Sequence, residues 1–368
     1  MNKCFIGDCR DSMRKLIDDG VRVQTCVTSP PYWGLRDYGV AGQLGLEPTI
    51  EEYLLNMVEV FRVVRELLAN DGTLWLNLGD SYAGSGRGGY AGDKSSLDGS
   101  TTGQDNSRSA RSLQIKAGFH EEQVQSGAIG RAWVKPTDGL KRKDLCGIPW
   151  RVAFALQQDG WWLRQDIIWY KKNTMPESVT DRCTKAHEYI FLLAKAEKYY
   201  FDADAIAEPI ASSSLSRLQQ NIDDQAGSNR VPGKTNGAMK AVAKGNRKTF
   251  RGGGVYTNNR SFDNNGASGN DSVGNEPNAT GLRNKRSVWH VATQPYSEAH
   301  FATFPPALIE PCILAGSRPG DIVLDPFFGS GTTGQVAQAL GRQWIGCELN
   351  PEYEKLQLAR TAQSGMPL

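Results

Sequence analysis

Paired cysteines are missing from this sequence. Its seven cysteines, Cys4, Cys9, Cys26, Cys146, Cys183, Cys312 and Cys347, form no CxxC pair, and the four histidines do not cluster with them. That scatter gives neither a disulfide framework nor a zinc-ligand spacing. It predicts reduced thiols that pack as small hydrophobes. Long apolar runs are missing too. No stretch is long enough to cross a bilayer, and the opening MNKCFIGDCRDS is not laid out as a signal peptide. A soluble, cytoplasmic protein with no metal site is expected. Net charge is also scarce: 42 Lys and Arg against 40 Asp and Glu leave +2, a balance that does not by itself suggest nucleic acid. What is present is ordinary globular composition, 39% hydrophobic and 22% charged, over 368 residues. That length is ample for one large α/β domain with insertions, or for two domains.

Three stretches read as compact structure. In the first, Cys4–Ile6 is a short strand ending at Gly7-Asp8, and an amphipathic helix follows through Met13, Leu16 and Ile17. Val21–Thr28 is a second strand, rich in β-branched residues. Ile50–Leu68 carries apolar residues at helical spacing. Asn70-Asp71-Gly72 is expected to stop that helix, and Thr73–Leu78 to form the next strand. The second stretch holds a helix over Pro149–Gln158 and strands over Trp161–Tyr170 and His187–Ala194. The third holds a helix over Pro305–Leu314, a strand over Ile322–Asp325, a helix over Thr332–Leu340, a strand over Trp344–Glu348 and a closing helix over 351–362. This alternation predicts an α/β fold with a Rossmann-like, doubly wound, mostly parallel sheet.

The gaps differ in composition. Residues 83–136 and 207–285 are rich in Gly, Ser, Asn, Gln and Arg, and both are far longer than a normal connection. Within 225–262 there are eight basic residues, Arg230, Lys234, Lys240, Lys244, Arg247, Lys248, Arg251 and Arg260, and no Asp or Glu. Such a stretch is either a phosphate-facing surface or a solvated basic loop. The chain accordingly divides into 1–82, an insertion over 83–142, a continuation over 143–206, a separate region over 207–290, and 291–368.

One motif has the layout of a nucleotide site. Ile322–Asp325 is followed by Pro326-Phe327-Phe328-Gly329-Ser330-Gly331, and a helix begins near Thr332. Small residues between a strand and a helix let the backbone approach a ligand closely. Neither the GK[ST] ending of a P-loop nor the GxGxxG fingerprint is present. The next strand ends in Gly346-Cys347-Glu348, 23 residues after Asp325, where a carboxylate can accept hydrogen bonds from a ribose diol. A tight strand–helix turn without a ligand, plus an ordinary exposed Glu, is the alternative. The glycines together with the acidic residue point to an adenosine-type cofactor.

A second motif, Ser29-Pro30-Pro31-Tyr32, follows the strand that ends at Thr28. Two prolines can extend neither strand nor helix, so they fix a rigid turn at the carboxyl end of the strand, where ligands sit in doubly wound sheets. Simple chain reversal would also account for a Pro-Pro turn. What the turn presents is more specific: a hydroxyl, a carbonyl and an aromatic face. An exocyclic amine has two N–H groups, and the Ser29 hydroxyl oxygen and the Pro30 carbonyl can accept both. Tyr32 could stack on a base taken out of the duplex.

Together the two motifs resemble the DNA amino methyltransferases that use S-adenosylmethionine, whose catalytic turn reads [D/N/S]PP[Y/F/W] and whose cofactor loop contains FxGxG. The catalytic motif comes first here, which is the permuted order of the β class. His300–Pro305, GWWLRQDIIWYKKN (160–173) and TKAHEYIFLLAKAEKYYFD (184–202) are similar to further blocks of that family. The resemblance implies a class I methyltransferase fold with S-adenosylmethionine as cofactor. It implies that Asp8 lies by the adenine, Glu348 on the ribose, and Asp325 near the methionine end. Phe327 would pack beside the sulfonium, Phe304 would close over the methionine part, and Gly329, Gly331 and Thr332 would form the loop. Ser29, Pro30, Pro31 and Tyr32 would hold the target amine. Residues 207–290 fall where the β class keeps its target-recognition region, so the eight basic residues become expected contacts to double-stranded DNA.

The reaction so implied is direct in-line transfer to N6 of adenine or N4 of cytosine, since both offer the same NH2 group. None of the cysteines sits in a Pro-Cys nucleophile turn, which argues against C5 chemistry on cytosine. A methyltransferase acting on RNA or on protein glutamine, or a non-catalytic DNA-binding module, is the alternative; the permuted order and the intact turn count against both. By analogy a homodimer is expected, associated with the nucleoid through its DNA and able to methylate only.

Overall fold

Val23–Thr28 is buried along its whole length, although Gln24, Thr25 and Thr28 are polar. A strand covered on both faces belongs in the middle of a sheet between two helical layers. The computed structural model, which describes residues 2–83, 139–211, 281–294 and 304–362, places it there. In chain order the elements are β1 (Asn2–Ile6), α1 (Cys9–Asp18), β2 (Val23–Thr28), α2 (Ile50–Leu67), β3 (Leu68–Leu78), α3 (Ile148–Gln158), β4 (Trp162–Tyr170) and β5 (His187–Ala194). Then follow β6 (Glu208–Pro209), β7 (Leu282–Arg283), β8 (Val288–His290), α4 (Pro306–Gly316), β9 (Ile322–Asp325), α5 (Thr332–Ala339), β10 (Gln343–Glu348) and α6 (Glu354–Ala362).

Eight strands form one sheet in the order β1-β10-β9-β2-β3-β5-β4-β8. Pairing is parallel from β1 to β3. Strand β5 runs antiparallel to both β3 and β4, and β8 is parallel to β4. The sheet is therefore mostly parallel, as the alternating pattern predicts. Strand order runs outward in both directions from the β9–β2 junction, and that switch point opens a crevice at the carboxyl ends of the strands.

Local chemistry explains the elements next to the crevice. Asp8 caps α1 by accepting from the Arg10 N–H at 2.8 Å, and Cys9, Ser12, Met13 and Leu16 form the buried stripe behind it. Thr49 caps α2, whose Tyr53, Met57, Val60, Phe61, Val64 and Leu67 are fully buried over the sheet. Each such side chain contributes about 1.5–3 kcal/mol on burial.

The structure corrects the expected end of α2. Asn70-Asp71-Gly72 does not terminate the helix; α2 stops at Leu67, and β3 starts at Leu68 with those three residues inside it. Tertiary partners override the turn signal. Lys195 Nζ donates to the Leu68 carbonyl at 2.6 Å, Gln24 Nε2 to Asp71 at 3.1 Å, and the Tyr200 N–H to the Asp71 carbonyl at 2.8 Å. A register shift opposite, between Val23 and Thr25, absorbs the irregularity.

Two compact units are present, Met1–Asp202 with Arg286–Leu368, and Ala203–Lys285. In the second, β6 and β7 pair antiparallel, and Glu208 faces Arg283 and Lys285 at 3.5 Å. The eight basic residues from Arg230 to Arg260, most of the 83–142 insertion and His300–Thr303 lie outside the described residues.

Candidate active site

The Pro-Pro turn at the end of β2 is held from three sides. Tyr53 Oη on α2 donates to the Pro31 carbonyl at 2.9 Å, and Trp33 Nε1 donates to the Glu47 carbonyl at 2.9 Å. Gly45, at φ +96°, lies so close that an added Cβ would sit 3.1 Å from Pro31. Stiffness at this turn thus comes from packing as well as from proline.

Next to it, β9 ends at Asp325, which is 1% exposed. Its carboxylate accepts from Thr28 Oγ1 and Thr333 Oγ1, each at 2.6 Å, and from the Phe327 N–H at 3.1 Å. Burial lifts its pKa to about 6, against the pull of those three donors. The loop that follows turns back sharply. Phe328 stacks on Trp344 and covers Gly346 so closely that a Cβ there would lie 2.4 Å from the ring. Phe327 remains half-buried on the crevice side.

Glu348 ends β10. Each of its oxygens takes one backbone N–H, Gly329 on Oε2 and Asn350 on Oε1, both at 2.8 Å. A carboxylate oxygen has two lone pairs, so both keep acceptor capacity toward the crevice, which fits a vicinal diol. Burial raises its pKa, with those N–H groups acting against it. Asp8 faces the same space across the β1–β10 pair, where Ile6 is in register with Glu348. Arg10 hydrogen-bonds its carboxylate and holds it below the usual range.

These groups share one cavity of about 900 Å³, within the usual range for small-molecule and cofactor sites. Ser29, Pro30, Pro31, Tyr32, Asp8, Phe304, Asp325, Phe327, Gly329, Thr332 and Glu348 all line it. Gly331 does not. At φ +87° it caps α5 against Gln357, so its glycine character serves the backbone turn.

Several wall residues escaped the sequence reading. Asn77 of β3 and Glu188 of β5 meet the Tyr32 hydroxyl, and Lys171, just past β4, pairs with Glu188. Asn173 exchanges hydrogen bonds with Thr293, at 3.0 Å to its carbonyl and 2.9 Å from its N–H. Arg360 and Gln357 of α6 brace the glycine loop from behind. Arg360 donates to Ser330 and, at 2.7 Å, to Thr332; Gln357 Nε2 donates to the Gly329 carbonyl at 2.8 Å. The blocks at 160–173 and 184–202 contain three of these residues, but only the sheet order says which of them meet.

All seven cysteines are free. The single Pro-Cys dipeptide, Pro311-Cys312, lies inside α4, where Cys312 is buried and its thiol points back to the Leu308 carbonyl. It is no nucleophile turn. Among the described residues no helix is long and apolar enough to cross a membrane.

A fold of this order, with a glycine loop and a Pro-Pro turn opening into one crevice, defines a nucleotide-cofactor transferase of the doubly wound type. The family model described as DNA methylase, for N6 and N4 methyltransferases, matches residues 23–359, and the chain belongs to that family. It is 40% identical to the Type II methyltransferase M.Cfr9I of Citrobacter freundii over 356 residues, 97% of this chain and 86% of that protein. It is 39% identical to M.SmaI of Serratia marcescens over 359 residues, 97% of this chain and 90% of that one. Among solved structures it is similar to PvuII DNA methyltransferase (cytosine-N4-specific), at 17% identity and a TM-score of 0.51 over 99% of this chain and 86% of that chain. The protein is an S-adenosylmethionine-dependent, site-specific DNA amino methyltransferase.

Proposed function

We propose that Ser29, Pro30 and Tyr32 hold the exocyclic amine of a base flipped out of duplex DNA, with Pro31 stiffening the turn. On this reading Asp8, Phe304, Asp325, Phe327, Gly329, Thr332 and Glu348 hold S-adenosylmethionine, and Gly331 shapes the loop. The observation that carries it is that turn and loop, from opposite ends of the chain, line one cavity at the β9–β2 junction. Bound S-adenosylmethionine supplies a methyl group activated on a sulfonium.

The chain's own residues then have three tasks. Glu348 orients the ribose end. The Ser29 oxygen and the Pro30 carbonyl accept the two N–H groups and draw the nitrogen lone pair out of the ring conjugation. The walls exclude water while the amine is positioned, which is where most of the acceleration of an in-line transfer originates. No strong base is needed beforehand, because the proton leaves a nitrogen that is already charged.

Residues 207–290, with the basic stretch from Arg230 to Arg260, serve as target-recognition region and meet the phosphates; the 83–142 insertion adds further DNA contacts. The enzyme works on DNA in the nucleoid as a homodimer. Transfer of labelled methyl to duplex DNA, followed by nucleoside analysis that separates N6-methyladenine from N4-methylcytosine, tests the reading. Label appearing in RNA or protein but not in DNA would sink it. Small-angle scattering with and without DNA checks the dimer, and a monomer in both would remove that part.

A further inference from the structure

Ser29 stands where a carboxylate would do a simpler job. A carboxylate offers only lone pairs to an amine, whereas a serine hydroxyl carries a proton that would face the amine N–H and oppose it. Something must occupy that proton. The crevice wall contains a network that does so.

Tyr32 Oη lies 3.2 Å from Ser29 Oγ, 2.9 Å from Glu188 Oε2 and 3.2 Å from Asn77 Oδ1. The last two are acceptors. The Asn77 amide is oriented by its Nδ2, which donates to the Tyr189 carbonyl at 3.0 Å and to Glu188 Oε2 at 3.3 Å, so its oxygen faces Tyr32. Glu188 Oε1 is taken by the Lys171 ammonium, and the pair is largely buried, at 16% and 21% exposure. The backbone fixes this pair as well: Trp169 and Glu188 are in register across β4 and β5, and the Lys171 N–H donates to the Ala186 carbonyl at 2.9 Å. Tyr32 has one proton, and it goes to the Glu188–Asn77 side. Burial and the Glu188 charge both push the Tyr32 pKa up, so that proton stays on the ring hydroxyl. The Tyr32 oxygen is left as an acceptor, and the Ser29 proton turns to it.

We infer that Glu188, paired with Lys171, is a positioning residue that sets the direction of the Ser29–Tyr32 hydrogen bond and makes Ser29 Oγ an acceptor-only group toward the target amine. This rests on the reading that Ser29 receives that amine. In this role Glu188 acts through Tyr32 and needs no contact with the base. The chain of bonds Ser29 to Tyr32 to Glu188 lets a serine imitate a carboxylate without placing a charge beside the base.

The test is a double-mutant cycle in single-turnover methyl transfer to duplex DNA. In Glu188→Gln the amide oxygen turns to Lys171 and the NH2 to Tyr32, so the Tyr32 proton keeps only the longer Asn77 Oδ1 contact and the bias of the chain is weakened. The transfer rate should fall roughly 10- to 100-fold, the cost of one unmatched polar group, with little change in Kd for DNA or methyl donor. In a Ser29→Ala background, which has no hydroxyl to orient, Glu188→Gln should cost nothing further. Tyr32→Phe keeps the ring and removes the relay. It should reproduce the loss and also be non-additive with Glu188→Gln, which covers the case of a Glu188 variant that folds poorly. Equal losses from Glu188→Gln with and without Ser29 would overturn the inference, as would a loss confined to DNA or donor affinity. Full activity in Ser29→Ala alone would instead overturn the reading of Ser29 as the amine acceptor.

Discussion

Thr28 Oγ1 donates to Asp325 Oδ1 at 2.6 Å across 297 residues of sequence. The last residue of the catalytic strand thus touches the last residue of the cofactor strand, and neither is exposed. Thr28→Val keeps the shape and removes the donor. It should destabilise the fold by about 1–3 kcal/mol, the cost of a buried acceptor left short of a partner. Denaturant unfolding measures this, and a change below a few tenths would mean that the hydrogen bond is dispensable.

Asp325 also makes stability depend on pH. Its ordinary value is 3.8, and burial lifts it to about 6, so the folded chain holds this proton more tightly than the unfolded chain does. The resulting contribution is complete below about pH 4 and is lost as pH rises through 6. The gap corresponds to about 3 kcal/mol. Asp325→Asn lacks this titration. The stability of the wild type relative to Asp325→Asn should therefore fall by about that amount between pH 4 and pH 7.5. A difference that stays flat over the range would contradict the assignment.

Gly346 is a packing requirement. An alanine there would push its methyl into the Phe328 ring, which is already wedged against Trp344 and Gly334. Overpacking of this kind costs about 1–3 kcal/mol. Gly346→Ala should lower the Tm and weaken donor binding, because the displaced ring carries the loop with it. Phe328→Leu in the same chain should restore part of both. If the second change only adds damage, the clash is not the cause.

Arg360 should matter to the donor and not to DNA. Arg360→Met removes the cation that gathers Ser330 and Thr332. Loosening the loop should weaken S-adenosylmethionine binding about tenfold, the equivalent of one net hydrogen bond of about 1.4 kcal/mol. Calorimetry with the donor alone reads this directly. An unchanged Kd would reduce Arg360 to a support of the fold.

The basic stretch makes an ionic prediction. Replacing Arg247, Lys248 and Arg251 by glutamine should flatten the dependence of DNA affinity on salt, by about one unit of slope for each phosphate that is no longer neutralised. An unaltered slope would mean that these side chains stay in solvent.

Both motifs were legible because each is short and carries its own geometry. A strand ending in Asp325 before small residues, and two prolines after Thr28, dictate a backbone path whatever surrounds them. The sheet class followed from alternation. Less legible was anything that needs two strands at once. Asn77, Lys171 and Glu188 come from three separate segments; two of them lie in blocks that resemble the family's, but nothing local marks them as partners, since a Lys and a Glu at strand ends look like solvated surface. Gly331 read as a loop residue, and its place as the cap of the helix that follows came only with the structure. The Asn70-Asp71-Gly72 signal was sound as local chemistry and lost to Lys195, Gln24 and Tyr200.

Strand β1 has a further consequence for synthesis. Its sheet partner is β10, with Asn2 beside Trp344 and Ile6 beside Glu348. An emerging chain leaves the ribosome with this strand unsatisfied, and the strand waits until β10 has been made. A chain truncated before residue 343 lacks β10 and leaves a bare edge where Asp8 would face Glu348. Products that lack β10 are expected to be cleared or to aggregate, not to bind the methyl donor, so donor binding should report on chains in which β1 has found β10.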